Sequence, residues 1–341
     1  MTVEALAARD GRWDELVDAS PAPDVYYRPA YCAAYETAGH GRAVAVVTDG
    51  ALFPLLLRQL PFGEDGFDAT TPYGFGGLLP LSGRTDPGSD LRQLRDWCAT
   101  NGVVSCLLRL HPLLGGPDQL AGTDEAEVEI REHGPTTAVD PSLIDPEHER
   151  LEGMSKGRKA DLTIARRELE LAWGRGEDAL ASFRDVYDDT MRRIGAGEFY
   201  LFPPEYYRAL SEGLGEHMVV GLARRGGDVV GGALFFADAR FAHYHLSGTT
   251  DAGRELKAGT LLVHGGIEWA AERGCELLHL GGGAAGGADS LYAFKQSFGG
   301  TTYTYALAAF VVDRERYEAL VARRSEEPEP PRPDSFPAYR A

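Results

Sequence analysis

A glycine-rich segment followed by an aromatic–lysine pair is the stretch of this sequence best suited to chemistry. An apolar run, Glu276 to Leu280, leads into Gly281 to Gly283, and Phe294 and Lys295 follow within a short amphipathic segment, Ser290 to Phe298. Glycine permits positive φ and a close backbone approach, so the pattern predicts a strand that opens into a ligand-lined loop. A positioned ammonium group can stabilise negative charge developing on a carbonyl oxygen. A flexible loop with a snorkelling lysine, or a salt bridge closing the short helix, remains an alternative.

Four side chains are candidates for accepting a proton. They are His243, His245, His279 and Asp289. His243 and His245 alternate with Tyr244 along one strand, so the two histidines are predicted to share one face. Because strand histidines are more often packed or surface residues than bases, deprotonation assisted by the substrate itself also remains open.

A basic run stands out against the acidity of the chain. From Lys156 to Arg167 there are five cations and one acid, Asp161, whereas the whole chain has a net charge of -18. Lys156 and Lys159 share one face of a helix predicted over Glu149 to Leu169. This contrast of sign indicates an anion-binding surface, and the alternative is an ordinary solvated helix face.

The elements that must position these groups are clearest in the second half of the chain. Apolar runs separated by turn residues predict strands over Met218–Arg224, Val229–Phe236 and Phe241–Leu246, which form an antiparallel meander. A helix over Lys257–Arg273 and a strand over Glu276–Leu280 follow. The glycine loop is therefore expected to begin where the last of these strands ends.

A Pro- and acid-rich link, Asp140 to Pro146, predicts a domain boundary. We expect an N-terminal domain of residues 1–140 and a C-terminal catalytic domain of residues 141–324. The remaining residues, 325–341, are rich in Pro and Glu and are predicted to be disordered.

Composition excludes several classes of function. The chain has 341 residues, with 34 basic and 52 acidic side chains, which argues against DNA or non-specific nucleic-acid binding but allows a local basic patch. No apolar run is long enough to span a membrane, and the four cysteines lack metal-ligand spacing. We therefore expect a cytoplasmic protein with reduced thiols, no metal and no membrane span.

Three segments resemble the Fem family of aminoacyl-tRNA-dependent transferases, which carry two tandem GNAT-like acyltransferase domains. The first is the basic run from Lys156 to Arg167, and the second is Thr190-Met-Arg-Arg193 with Tyr206 and Tyr207. The third runs from the glycines at 281–283 to Phe294-Lys295-Gln-Ser-Phe298-Gly299. The resemblance implies an α/β (α+β) fold in which two domains each have a mixed central sheet flanked by helices.

The resemblance also implies roles for individual residues. Lys295 and Phe294 are expected to be catalytic, with Lys295 contacting the end of the aminoacyl-tRNA donor and stabilising charge during acyl transfer. Arg193, with Arg192 as a rival, is expected to contact phosphate groups of the acceptor, and Tyr244 is expected near the acceptor. The full set of expected substrate-binding residues is Arg193, Tyr244, Tyr207, Lys156, Lys159, Gly282, Gly283 and Tyr73.

The resemblance also implies an amine acceptor, either in a peptidoglycan precursor or in a natural-product peptide or small molecule. Some members of the family use a first-domain lysine to bind a muramyl peptide, and this chain has no lysine before Lys156. Aminoacyl-tRNA would act as a co-substrate, so no resident cofactor is expected.

The main alternative is an acyl-CoA-dependent GNAT N-acetyltransferase. Its pyrophosphate cradle, R/Q-x-x-G-x-G/A, places free N–H groups of a helix start around the anion. The matching stretch runs from Arg254 to Gly259, with Lys257 in place of the first glycine. A side chain at that position hinders close backbone approach, which disfavours CoA. A non-catalytic binding module is the third possibility.

Overall fold

The computed structural model describes residues 3–81, 86–120, 122–123, 128–145, 150–327 and 335–340. Two compact units make up the chain, one of Met1–His133 with Thr304–Ala341 and one of Gly134–Tyr303. These units differ from the predicted boundary at residue 140, because nothing in the sequence pattern indicated that the C-terminal residues return to the first unit. The disorder predicted for residues 325–341 is wrong for the described end of the tail. Tyr339 is buried there, and its hydroxyl group hydrogen bonds to that of Ser105 at 2.8 Å.

The elements follow in the order of the chain. The strands and helices up to residue 110 are β1 (Glu4–Ala7), α1 (Gly11–Asp18), α2 (Pro29–Thr37), β2 (Arg42–Val47), β3 (Ala51–Gln59), β4 (Phe67–Thr70), β5 (Leu79–Pro80), α3 (Pro87–Thr100) and β6 (Val103–Leu110). Those that follow are β7 (Glu129–Val139), β8 (Ile144–Asp145), β9 (Arg150–Leu151), α4 (Lys156–Glu168), β10 (Glu170–Gly174), α5 (Glu177–Arg193), α6 (Pro204–Leu214), β11 (Met218–Arg225), β12 (Asp228–Ala237) and β13 (Phe241–Thr249). The last are α7 (Asp251–Glu255), α8 (Ala258–Glu272), β14 (Leu277–Gly282), α9 (Ser290–Gln296), β15 (Thr301–Val311) and α10 (Arg314–Ser325).

The first unit has a mixed sheet with the strand order β1, β2, β3, β4, β6 and β15, and β5 pairs with β3. Its neighbouring strands are antiparallel except β4 and β6, which are parallel and are joined through α3. Leu91, Leu94 and Cys98 of α3 are buried in the apolar core of this unit, as expected for a crossover helix that covers the sheet.

The second unit has the strand order β7, β14, β13, β12, β11 and β10. Strands β10 to β13 are antiparallel, whereas β13 and β14 are parallel. A Cβ atom on Gly231 would lie 3.0 Å from Ala258 of α8, and one on Gly232 would lie 3.1 Å from Phe183 of α5. Because successive residues of a strand point to opposite faces, α8 and α5 cover opposite faces of this sheet.

The meander, the helix α8 and the strand β14 confirm the sequence predictions for the second half to within a few residues. The helix predicted over Glu149 to Leu169 begins only at Lys156. Ser155 is its N-cap and accepts a hydrogen bond from the backbone N–H of Arg158 at 3.2 Å, while residues 150–151 form β9.

The four cysteines are buried free thiols, as the sequence predicted. Among the helices that the structure describes, none combines the length and the apolar character needed to cross a bilayer.

Candidate active site in the second unit

The parallel strands β13 and β14 separate soon after they pair. Their register covers Phe241, Ala242 and His243 opposite residues 277–279 and then stops. Beyond that point Gly281 and Gly282 pair with β7 on the other side of β14, while β13 continues beside β12 to Thr249. We call the resulting opening between the two strands the strand gap. It lies at the carboxyl ends of parallel strands, which is where α/β sheets commonly bind ligands.

The corresponding position in the first unit is closed by the chain itself. The loop that follows β4 runs along β6, where the N–H of Thr71 donates to Leu107 O at 3.1 Å and the N–H of Gly76 donates to Arg109 O at 2.6 Å. Tyr73 belongs to this loop, is half-buried, and accepts a hydrogen bond on its carbonyl oxygen from the Tyr31 hydroxyl at 2.5 Å. Within its described residues, the first unit therefore offers no equivalent opening between its parallel strands.

The glycine loop at the end of β14 is ordered by one carboxylate. Asp289 accepts hydrogen bonds from the N–H groups of Tyr292 at 2.9 Å, Ala284 at 2.8 Å and Leu291 at 2.9 Å. A Cβ atom on Gly283 would collide with the backbone carbonyl oxygen of Gly287 and with this carboxylate, so only glycine fits there. The three backbone donors, led by Tyr292, lower the pKa of Asp289. Asp289 is therefore a helix cap and loop anchor, and its geometry argues against the proton-accepting role that the sequence allowed.

Lys295 lies beside the loop that Asp289 orders. Its Nζ donates to Gly282 O at 2.7 Å and is 3.2 Å from the position that a Cβ on Gly281 would occupy. Burial lowers the pKa of Lys295 to about 8, and the nearby Asp289 carboxylate partly opposes that shift. Within the described part of the chain Lys295 makes no ion pair, so the alternative of a salt bridge that closes the short helix is not supported.

Phe294 connects the short helix α9 to the start of α8. Its ring meets that of Phe298 edge-on at 5.5 Å, and its Cζ lies 3.6 Å from the position of a Cβ on Gly259. The Arg158 guanidinium lies over the same ring at 4.5 Å from the centroid. The ring therefore occupies the surface of the first turn of α8, next to the backbone that a CoA pyrophosphate would need to approach.

The residue before α8 has an unusual backbone. Lys257 has φ 64° and ψ 33°, in the left-handed region that favours glycine, and α8 has no side-chain cap. This is the position at which the CoA cradle has its first glycine. The chain keeps the glycine-like backbone conformation there, but it adds a lysine side chain.

Arg193 is fixed at the end of β13. Its guanidinium donates to Asp251 Oδ1 at 3.0 Å and to Thr249 O at 2.8 Å. These contacts place Arg193 where β13 passes into α7, and its expected phosphate contact would have to coexist with them. Arg192, its rival, is 3.7 Å from Asp188.

The two tyrosines predicted to bind substrate differ in their surroundings. Tyr244 lies on β13 with its ring 5.4 Å from that of Phe235, and burial raises its pKa to about 12, with a hydrogen bond to Ser247 opposing the shift. Tyr207 lies on α6 and is buried against Phe183, with its hydroxyl unpartnered among the described residues. Tyr244 thus lies on a strand that borders the strand gap, whereas Tyr207 is packed between α5 and α6.

Two of the three candidate histidines, His243 and His279, are buried, and His245 is half-buried. His243 and His279 lie opposite each other at the closed end of the strand gap, with ring centroids 5.9 Å apart. Burial, with a smaller contribution from His243, lowers the pKa of His245 to about 3, and its ring lies on that of Phe236 at 4.6 Å. His245 is therefore neutral at ordinary pH and packed in the sheet.

The basic run on α4 divides into partnered and unpartnered cations. Arg166 pairs with Glu268 at 2.9 Å and Arg167 with its neighbour Glu168 at 2.8 Å. Among the described residues Lys156 and Lys159 have no ion pair; Lys156 is exposed, and Lys159 lines a cavity of about 490 Å³ beside β8 and β9. The predicted anion-binding surface is thereby reduced to these two lysines.

Sequence reasoning missed Arg158 as a member of the site. It was one cation of the basic run, but its side chain turns towards α9 and α8. The sequence signal that could have found it is spacing: Arg158 lies four residues before Leu162, which is buried, so both share the inner face of α4.

Comparison with known proteins bears on the fold and on the family of the second unit. Residues 154–296, which include the strand gap, match the family described as Acetyltransferase (GNAT) domain. No curated protein matches the chain.

Several solved structures share the fold. FemX is 13% identical, with 93% of this chain and 99% of that chain covered at a TM-score of 0.70. L-PGS from Bacillus licheniformis is 12% identical, with 90% and 93% covered at a TM-score of 0.59. A tandem GNAT protein from the clavulanic acid biosynthesis pathway is 13% identical, with 91% and 98% covered at a TM-score of 0.51. The chain therefore has a Fem-like tandem GNAT fold, as the sequence predicted, and residues 154–296 of its second unit match an acetyltransferase (GNAT) domain.

Proposed function

We propose that the second unit transfers an aminoacyl group from aminoacyl-tRNA to an amine acceptor and so forms an amide bond. The observation that carries this proposal is the Lys295 ammonium, which is held on Gly282 O at the strand gap at 2.7 Å with no carboxylate partner among the described residues. An unpaired, partly desolvated cation at such an opening is suited to an anion that forms during the reaction.

The chemistry needs few groups. The acceptor nitrogen attacks the ester carbonyl carbon, the C–N bond forms, and the carbonyl oxygen becomes negatively charged. Lys295 has three N–H donors and uses one on Gly282 O, so two remain for this oxyanion. When the intermediate collapses, the C–O bond to the ribose breaks, the ribose oxygen takes a proton, and the attacking nitrogen loses one.

The donor is proposed to be aminoacyl-tRNA because two features at the start of α8 disfavour CoA. Lys257 adds a side chain where the cradle has its first glycine, and the Phe294 ring lies against Gly259. Close approach of a pyrophosphate to the first N–H groups of a helix requires that surface to be open. Lys156 and Lys159 would contact phosphates of the donor, while Arg193, Tyr244, Gly282 and Gly283 would contact the acceptor or the transferred group.

An acetyl-CoA-dependent N-acetyltransferase is the second candidate. It is supported by the family match over residues 154–296 and by Gly259, which retains the last position of the cradle. The acceptor is an amine in either case, in a peptidoglycan precursor or in a natural-product peptide.

One experiment separates the two donors. Purified protein is incubated with the small-molecule fraction of a cell extract as acceptor and with either aminoacyl-tRNA or acetyl-CoA, each radiolabelled in its acyl group. We expect amide-linked label from the tRNA pool alone, and its loss in the Lys295→Ala variant. Label from acetyl-CoA alone would overturn the aminoacyl-tRNA proposal and support the second candidate, and label from neither pool in any extract would count against both.

A further inference from the structure

Arg158 connects three helices of the second unit. Its Nε donates to Ser297 Oγ at the end of α9 at 3.0 Å, and its Nη1 donates to Thr260 Oγ1 in the first turn of α8 at 3.0 Å. The same nitrogen forms an ion pair with Asp161 of α4 at 2.8 Å. All of these partners lie in one unit, and two of them are about a hundred residues or more away in the chain.

The guanidinium also contacts the ring next to the proposed catalytic lysine. It lies 4.5 Å from the centroid of Phe294 and 5.6 Å from that of Phe298. Ser297 extends the contact, since its hydroxyl accepts from Arg158 and donates to Phe294 O at 2.6 Å. Arg158 therefore holds Phe294 both by its ring and through its carbonyl group.

Helix α9, which carries Phe294 and Lys295, is too short to hold its orientation without contacts to its neighbours. Helix α9 has seven residues, and a helix of that length is unstable in isolation. Asp289 caps its first turn, and at its other end Ser155 N donates to Ser297 O at 3.0 Å. Gly299 packs so closely on Gly153 that a Cβ would lie 2.7 Å from the Gly153 carbonyl carbon. The orientation of Lys295 thus depends on contacts at both ends of α9. Among the described contacts, Arg158 is the only side chain that links the C-terminal end of α9 to both α4 and α8.

We infer that Arg158 is a positioning residue for the acyl transfer, acting by fixing Phe294 and α9 so that the Lys295 ammonium meets the carbonyl oxygen of the donor. This inference rests on the proposed function. Arg158 does not touch the reacting atoms; it acts through Phe294 and Ser297.

The test compares Arg158→Ala and Arg158→Lys with a matched control. Arg240→Ala serves as the control, because Arg240 also lies over a phenylalanine ring, at 4.9 Å from Phe241, and forms a two-contact ion pair with Glu276 at 2.9 and 2.8 Å. Arg240 lies at the start of β13, away from the end that forms the strand gap.

We expect Arg158→Ala to lower kcat by about 10²-fold, since a displacement of about 1 Å at a reacting group has that effect, with donor KM changed much less. Arg158→Lys should retain part of the activity, because lysine keeps the charge over the ring but cannot reach Ser297 and Thr260 together. Millimolar guanidinium should restore kcat in Arg158→Ala. The control Arg240→Ala should have the kcat of the wild type, both with and without guanidinium.

The inference is overturned if Arg158→Ala has the same kcat as Arg240→Ala. It is also overturned if the lower kcat of Arg158→Ala is accompanied by a lower unfolding midpoint and guanidinium does not restore activity. A Lys295→Ala variant in the same series keeps the two proposals apart. If Lys295→Ala retains full activity, the proposed function of the site fails; if it is inactive while Arg158→Ala is normal, only the role of Arg158 fails.

Discussion

Replacement of Lys295 is the most direct test of the acyl-transfer site. Lys295→Ala removes the ammonium that the structure places 2.7 Å from Gly282 O. The glycine loop should keep its conformation, because the hydrogen bonds of Asp289 still hold its backbone. Loss of one oxyanion donor lowers kcat by about 10²- to 10³-fold in enzymes that depend on it. We expect a loss of that size in initial-rate assays of label transfer, with an unchanged circular dichroism spectrum.

The pH dependence gives the same residue a second signature. Lys295 acts as a cation, and its pKa of about 8 lies well below the roughly 10.4 of an ordinary lysine. Its contribution should therefore be complete below about pH 7 and should be lost as the pH rises through 8. At pH 9 about a tenth of Lys295 in the free protein is protonated, so kcat/KM should fall roughly tenfold from this cause, whereas an unshifted lysine would remain almost fully charged.

Lys295→Arg separates this effect from titration of the acceptor amine, which rises with pH. Arginine keeps its charge throughout the range, so the ratio of wild-type to Lys295→Arg kcat/KM should decrease between pH 7 and pH 9.5. Two results would refute the reasoning. One is a Lys295→Ala kcat within threefold of wild type, and the other is a ratio that stays constant across that range.

Three further perturbations test other parts of the structure. Gly283→Ala should abolish turnover and increase protease cleavage within the loop, because its Cβ collides with the Asp289 carboxylate; normal activity would show that the loop does not depend on this contact. Charge reversal at Lys156 and Lys159 should weaken donor binding, measured by fluorescence anisotropy, and should reduce the slope of log affinity against log salt by about 1 for each phosphate that the variant no longer neutralises; an unchanged slope would indicate solvated surface. Tyr339→Ala should lower the free energy of unfolding of the full chain by about 3 kcal/mol in urea titrations, because it removes a buried ring, and a midpoint equal to wild type would contradict this packing.

The two units differ at the position between their parallel strands, and this difference favours the second unit as the site of function. In the first unit the loop after β4 fills the position between parallel strands, and its backbone is hydrogen bonded to β6 through Thr71 and Gly76. In the second unit the strands after His243 and His279 are not paired with each other, and the glycine loop that begins at Gly281 borders the opening. In the described residues the parallel strands are thus followed by a closed sheet in the first unit and by the strand gap in the second.

Residues assigned by resemblance also differ in how well the structure suits them. Lys295 and Phe294 lie on the short helix beside the glycine loop, as the sequence pattern predicts, and their catalytic roles remain a prediction. Arg193 is engaged with Asp251 and Thr249, and Tyr207 is buried on α6 with Phe183. The expected contacts of Arg193 and Tyr207 with substrate remain predictions, and that of Arg193 would have to coexist with its bonds to Asp251 and Thr249.

The sequence alone was sufficient for features that depend on neighbouring residues. The meander of β11 to β13, the glycine loop from Gly281 and the short helix that presents Lys295 all follow from local periodicity, turn residues and backbone freedom. The Fem-like fold could be predicted because its motifs retain their spacing along the chain. In the meander the paired residues belong to consecutive strands, such as Met218 with Phe236 and Gly231 with Thr249, so the order of strands and turns along the chain already indicates the pairing.

Only the tertiary structure decided which side chains meet. Arg158 looks like one cation of a basic face, yet its partners Thr260 and Ser297 lie 102 and 139 residues further along the chain. The C-terminal residues likewise return to the first unit, where Tyr339 bonds to Ser105 across 234 residues. Such contacts form only when distant helices and strands pack together, and the packing is set by the total free energy of burying their side chains. A local sequence pattern does not contain that information.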